Sequence, residues 1–276
     1  MIQENNGRIG LIAGSGSLPL IFAEEVRRRG YAVIAVAHTG QTLPALEEKV
    51  DKLFWIRMGQ LDRLISLFQQ EGIHRAVMAG GIKKARFFID GRPDLRMLNV
   101  IARASTRNDD SILRAVAEEL AREGIAIEAA TRFVPSLFAP GGNLSSRPPT
   151  QEEWEDLQLG LKIARELGRA DVGQCIVVKM KAILAVEAME GTDETIRRGG
   201  RIAEGAVVVK ASKPNQDLRF DLPTVGPETI RTMKEVGASC LAVEAGKTVI
   251  LDRDATIAEA DAAGISIVGL QGNETP

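Results

Sequence analysis

A chain of 276 residues with 45% hydrophobic side chains can bury a core without covalent staples, as two ordinary domains or one large one. Its 35 Lys and Arg against 37 Asp and Glu leave a net charge of -2, so the broad basic field that gathers nucleic acid is missing and no nucleic-acid partner is expected. Two cysteines exclude a disulfide framework, and the longest apolar runs, such as 31–37, fall far short of the roughly 20 residues that cross a bilayer. Cys175 sits inside an apolar run, and both thiols read as reduced core groups. The opening MIQENNGR shows no basic segment followed by a long apolar stretch, so no secretory signal is read, the expected location is cytoplasmic, and any membrane contact is expected to be peripheral.

In chain order, Arg8 to Ala13 is a short apolar run followed by Gly14-Ser15-Gly16-Ser17 and a helical pattern through Leu20, Phe22 and Val26 that stops at Gly30. The sequence predicts strand, tight turn, helix. Tyr31 to Ala37 reads as a second buried strand ending at His38, and Lys52 to Ile56 as a third. Leu61, Leu64, Ile65 and Phe68 then share one helix face, before a fourth strand, Ala76 to Ala79, closes on Gly80-Gly81. This alternation argues for an α/β fold with a parallel sheet covered by helices on both faces. Past Asp94 come a helix around Leu98, Val100 and Ile101, a second from Ile112 to Gly124 with Asn108, Asp109 and Asp110 as candidate caps, and a short strand at Ile125 to Ile127. Pro135, Pro140, Gly141, Gly142, Pro148 and Pro149 crowd the next segment, so 135–150 reads as a linker between domains at 1–134 and 151–276.

The second half opens with a helix from Gln151 to Leu167. Two β-rich runs, Cys175 to Val178 and Ala182 to Val186, lead into Glu187, Glu190, Gly191, Thr192 and Asp193. A third, Ala206 to Lys210, leads into Lys213, Gln216 and then Arg219-Phe220-Asp221-Leu222-Pro223-Thr224. A helix from Pro227 to Val236, strands at Leu241 to Val243 and Thr248 to Leu251, a helix from Asp254 to Ala263 and a strand at Ile265 to Gly269 complete a mixed α/β domain. Strand ends that open into loops bearing acids, lysines and glycines are where a rigid scaffold usually places its chemistry.

Gly14, Ser15 and Gly16, between a strand and a helix, suit an anion at a helix N-terminus, or simply a tight turn that needs small residues. The full dinucleotide fingerprint is absent, since it wants a glycine at Pro19 and an acid at His38. Gly80, Gly81 and Lys83 follow the fourth strand, where Lys83 would meet a phosphate or be solvated. Capping accounts for one of Asp109 and Asp110, and leaves the other for a polar site. Asp221 lies between Phe220 and Leu222-Pro223, and a buried unpaired carboxylate costs several kcal/mol, so a cation is expected beside it: Arg219, Lys213 or Mg²⁺. Glu187, Glu190 and Asp193 read as further carboxylates for a metal, or as a solvated turn with Thr192 capping a short helix. His38 and His74 have no partner at zinc-ligand spacing, and no G-x-S-x-G or Cys/His pattern signals acyl chemistry.

Long blocks, LIAGSGSLP from Leu11, AGGIKK from Ala79, NDDSILR from Asn108, DVGQCIVVK from Asp171, ILAVEAMEGTDETIRR from Ile183 and KASKPNQDLRFDLPTVG from Lys210, resemble the bacterial UDP-2,3-diacylglucosamine pyrophosphatases of the type unrelated to the metallophosphoesterases that perform the same step. The resemblance covers nearly the whole chain, and one departure is Asn108, where the family often has glycine. It implies hydrolysis of UDP-2,3-diacylglucosamine to UMP and 2,3-diacylglucosamine 1-phosphate, lipid X, in lipid A assembly. It also implies a Rossmann-like N-terminal domain, a C-terminal domain of its own fold with ligand held between the two, dependence on Mg²⁺, and a homodimer. The family's essential aspartate, in its D-L-P-T-[IV]-G segment, maps onto Asp221.

The expected site therefore has Asp221 holding Mg²⁺ with help from Glu187, Glu190, Asp193 and Asp110. Gly14, Ser15, Gly16, Gly80, Lys83, Asp109, Thr192, Lys213, Gln216, Arg219 and Thr224 are expected to bind substrate. The competing readings are a nucleotide-sugar oxidoreductase, against which Pro19 speaks, and a sensor that binds lipid or nucleotide without turnover.

Overall fold

The structure is a computed structural model that describes residues 7–81, 93–104, 109–170, 172–213, 217–220 and 222–271, with the backbone alone at 109 and 110. It divides into two compact units, the first made of 1–134 together with 217–221, the second of 135–216 and 222–276.

In the first unit, β1 (Arg8–Ala13), β2 (Ala32–His38), β3 (Lys52–Ile56), β4 (Arg75–Ala79) and β5 (Ala126–Ile127) form a parallel sheet in the order β3-β2-β1-β4-β5. β2 is buried at every residue after Ala32, as a strand covered on both faces must be, which is why its sequence is a continuous apolar run rather than an alternation. Among the described residues its helices are α1 (Leu18–Arg28), α2 (Leu61–Gln70), α3 (Leu95–Arg103) and α4 (Asp109–Arg122). α2 buries the predicted face of Leu61, Leu64, Ile65 and Phe68, and α3 starts where the Asp94 carboxylate accepts from the Met97 N–H at 2.8 Å. Phe68, Ile73, Met97, Val100 and Leu120 share one core cluster with Phe220, which is distant from all of them in the chain. α4 begins at Asp109, so the paired aspartates open the helix itself rather than precede it.

The second unit has a six-stranded sheet in the order β6-β13-β11-β9-β7-β8, built from β6 (Gly142–Asn143), β7 (Cys175–Lys179), β8 (Ala182–Val186), β9 (Val207–Lys210), β11 (Cys240–Glu244) and β13 (Ser266–Leu270). β9, β11 and β13 run parallel, while β7 is antiparallel to both β8 and β9, and β6 is antiparallel to β13. A separate short parallel ladder joins β10 (Thr224–Val225) to β12 (Val249–Ile250). Successive valines of β9 point to opposite faces: Val207 and Val209 pack with Leu157 of α5 (Gln151–Arg169). Val208 packs with Ile196 of α6 (Thr192–Gly200), Ile230 and Met233 of α7 (Pro227–Glu235) and Ala260 of α8 (Arg253–Ala262).

The α/β class and the parallel first sheet are as the sequence predicts, but the reading of 135–150 as a linker is corrected. These residues belong to the second unit: β6 pairs with β13, and Phe138 bridges to Val249. Arg147 donates to Glu153 at 2.8 and 2.9 Å, to the Ser239 carbonyl at 2.6 Å and to the Gly264 carbonyl at 2.9 Å. Proline and glycine mark irregular backbone, and here that backbone is stitched into a sheet edge by side chains the composition does not reveal.

Candidate active site

β1 and β4 are neighbours at the point where the strand order reverses, the place where open α/β sheets leave a crevice beyond their carboxyl ends. The two glycine turns meet there. The Gly14 N–H donates to the Ala79 carbonyl at 2.8 Å, the Ser15 N–H to the Gly81 carbonyl at 2.8 Å, and the Gly81 N–H back to the Ser15 carbonyl at 3.1 Å. A Cβ on Gly14 would stand 2.5 Å from the Gly81 oxygen, and one on Gly80, whose φ is +91°, would stand 2.5 Å from the Ser15 oxygen. Glycine is therefore required for backbone to cross backbone. The Gly14 and Ser15 amides are occupied within the fold, which leaves to Gly16 and the start of α1 any approach to an anion. His38, where a dinucleotide site would carry its acid, is buried with Nδ1 3.0 Å from the Ala13 carbonyl, and burial lowers its pKa. Lys83 lies outside the described residues.

The sheet of the second unit brings more chemistry to one edge. Because β7 is antiparallel to β9, its first residue, Cys175, stands beside Lys210, the last of β9, and Ile176 stands beside Val186, the last of β8. Glu187 follows at once. Its N–H donates to the Cys175 carbonyl at 2.9 Å, and its carboxylate accepts from the Thr192 hydroxyl at 3.0 Å and the Gln174 N–H at 3.4 Å. Any side chain at Gly173 would overlap the Glu187 carbonyl oxygen, so the glycine permits this close turn. Thr192 is the first residue of α6, not its cap; the cap is Gly191, at φ +87°.

Lys210 is 7% exposed and its Nζ donates to the Thr224 carbonyl at 2.7 Å. Burial pushes the Asp193 carboxyl above the usual range, and the nearby charge of Lys210 pulls it back. Burial likewise acts to raise Glu244, the last residue of β11, but hydrogen bonds from Lys247 at 3.0 Å and the Ser212 N–H at 2.8 Å leave it lowered. Glu190 sits apart in character: a bond from its own backbone N–H, then Arg198 at 2.6 Å, hold its carboxyl down at about 2. Burial pushes the Cys175 thiol up and takes Cys240 up to about 12, so both are inert core groups.

Among the described residues, no group of three or more His, Cys, Asp and Glu side chains stands close enough to hold a metal ion. The expected set of Glu187, Glu190 and Asp193 is thus not gathered into a cage, and Glu190 is bound to an arginine instead. The other two expected ligands, the Asp221 residue and the Asp110 side chain, lie outside what is described, as do Gln216 and the Asp109 side chain. Of the cations expected beside Asp221, Arg219 grips Asp217 through two bonds of 2.9 and 2.7 Å and stacks 4.8 Å over the Phe220 ring. Lys213 is half-buried in the loop after β9. Thr224 turns its hydroxyl to the Leu222 carbonyl at 2.8 Å.

The structure therefore brings together Glu187 with Thr192, and Lys210 with Thr224. Sequence reading passed over Lys210, Gln174 and Glu244 as site residues. A usable signal was present: VVVK and CLAVE are apolar β-runs whose last residue is charged, and a charge ending a buried strand stands at the sheet edge.

Models of two domain families match in order along the chain, the LpxI N-terminal domain over residues 8–137 and the LpxI C-terminal domain over 140–268. The UDP-2,3-diacylglucosamine pyrophosphatase LpxI of Caulobacter vibrioides is 34% identical over 281 residues, which is 98% of this chain and 99% of that one. Among solved structures, the biotin carboxylase domain of the Hydrogenobacter thermophilus 2-oxoglutarate carboxylase is 10% identical with a TM-score of 0.29, across 63% of this chain and 35% of that one. The biotin carboxylase subunit of a pyruvate carboxylase is 12% identical with a TM-score of 0.27, across 65% and 35%. Likenesses that low carry no argument about fold or function. Two consecutive family domains and a relative matched from end to end give one conclusion: this chain belongs to the LpxI family.

Proposed function

We propose that this chain hydrolyses the pyrophosphate bond of UDP-2,3-diacylglucosamine, giving UMP and lipid X in lipid A biosynthesis. The observation that carries the reading is likeness along the whole length, 34% identity across 98% of this chain, to a protein that bears this activity in its name. Within that reading Asp221 is the catalytic group. Lys213 and Gln216 are proposed to bind the phosphate oxygens, and Gly16 with the start of α1 to meet the nucleotide.

A divalent cation, Mg²⁺, is part of the proposal: when bound, it neutralises charge on the diphosphate and makes water a better nucleophile. Glu190 is taken by Arg198, and Glu187 accepts from Thr192 and Gln174, so Asp221, Asp110 and Asp193 are the carboxylates proposed to hold it. The substrate is an amphiphile, and among the described residues no helix is long and apolar enough to cross a membrane. A cytoplasmic location, peripheral contact with the inner-membrane surface and a homodimer are further parts of the proposal; liposome flotation tests the membrane contact and sedimentation velocity the dimer.

Incubation of purified protein with UDP-2,3-diacylglucosamine and Mg²⁺, with and without EDTA, decides the reading. Release of UMP that EDTA abolishes is the expected result. Binding without UMP would make the protein a sensor.

A further inference from the structure

His38 closes β2, and its ring is bonded to the last carbonyl of β1: Nδ1 is 3.0 Å from the Ala13 oxygen, which also accepts from the Thr42 hydroxyl at 2.7 Å. The backbone is pinned as well. The His38 N–H donates to the Thr42 hydroxyl oxygen at 3.0 Å, and the His38 carbonyl accepts from the Gln41 and Thr42 N–H groups, both at 3.0 Å. A carbonyl can only accept, so the imidazole hydrogen stands on Nδ1. Burial, at 7% exposure, lowers the pKa of the ring and keeps it neutral at pH 7. Nε2 is therefore a bare lone pair. Among the described residues nothing donates to it, yet it is not one of the unpartnered side-chain atoms closed off from solvent. A nearly buried acceptor held rigidly and left without a donor is costly unless a ligand supplies one.

The place of the ring says which ligand group that is. Ala13 directly precedes Gly14, so the imidazole lies at the root of the turn that leads through Gly16 into α1, at the carboxyl end of the sheet. In nucleotide sites on parallel sheets of this kind the phosphates go to that turn, and a carboxylate at the end of the second strand accepts from a ribose hydroxyl. Here an acceptor stands at the same strand end, without the charge.

We propose that His38 is a specificity-determining residue for the nucleotide half of the substrate: its Nε2 accepts a hydrogen bond from a ribose hydroxyl. This rests on the reading of Gly16 and the start of α1 as the nucleotide end.

His38 and His74 are the only two histidines, and His74 is exposed, so His74→Gln assigns both in the ¹⁵N spectrum of histidine-labelled protein. The free protein should show His38 protonated at Nδ1 and bare at Nε2, and saturating UMP should move Nε2 to lower frequency, as accepting a bond does. A proton on Nε2 in the free protein, or an Nε2 resonance that saturating UMP leaves in place, would overturn the proposal. Calorimetric titration gives the second measurement. Of 2′-deoxy-UMP and 3′-deoxy-UMP, the one lacking the bonded hydroxyl should bind about tenfold more weakly than UMP. His38→Asn retains a donor for the Ala13 carbonyl and has no atom in place of Nε2; it should lose that preference and bind UMP about tenfold more weakly. Equal affinity of the parent for all three nucleotides, or a preference that survives in His38→Asn, refutes the role of His38. So does weak binding of 3-methyl-UMP beside undiminished binding of both deoxy analogues, which would give Nε2 to the base. Should His38→Asn fail to fold, the spectra and titrations of the parent decide. UMP that binds without touching His38 sinks this role alone, whereas a parent that binds no UMP sinks the nucleotide reading beneath it.

Discussion

What already holds a carboxylate decides what it can still do. Glu190 is gripped by Arg198, and Asp217 by Arg219, so each has its cation. Asp221, proposed above as the catalytic group, stands in the chain between buried Phe220 and half-buried Leu222. Replacing Asp221 with Ala should lower kcat about a hundredfold or more, with the circular dichroism spectrum and substrate affinity retained. Glu153 answers to pH. Burial acts to raise its pKa, but bonds from Arg147, Ser239 and the Thr150 N–H, with the charge of Arg147, hold it down at about 2. A carboxyl depressed on folding contributes stability above its unfolded value of 4.5, and that contribution is lost as pH falls toward about 2. The drop in Tm between about pH 5 and about pH 3 should therefore be smaller in Glu153→Gln than in the parent, as read by calorimetry at both values.

Strands and helices were largely legible because their apolar periods are long. Lys52–Ile56 and Ala182–Val186 are strands with the bounds the sequence predicts, and Leu61, Leu64, Ile65 and Phe68 form a helix face. β6 and β10 were not legible: two residues are too few to show a period, and their pairing depends on β13 and β12, distant in the chain. Turns depend on close approach rather than on pattern. Gly173 reads as any loop glycine, yet a methyl group there meets the Glu187 carbonyl. Gly173→Ala should destabilise the protein by about 2 kcal/mol or more, seen as a lower urea midpoint with an unchanged slope.

The two units do not divide the chain at one point. Residues 217–221 belong to the first unit although the chain on either side belongs to the second, and Phe220 completes the cluster of Met97, Val100 and Leu120. Phe220→Ala should thus destabilise the first unit by about 3–5 kcal/mol, and a fragment of 1–134 should melt lower than the same unit in the whole chain. Urea titration of both, followed by a probe in the first unit, measures this.

By itself the sequence determined the α/β class, the parallel first sheet, most element bounds and, through its motifs, the family, because these rest on local periodicity and on residue identity. Only the tertiary structure decided that Gly14 and Gly80 serve a backbone crossing, that 135–150 is sewn into the second unit, and that Lys210 reaches Thr224. Each of those is a contact between stretches far apart in the chain. Its energy depends on distances that no local pattern of hydrophobicity or charge encodes.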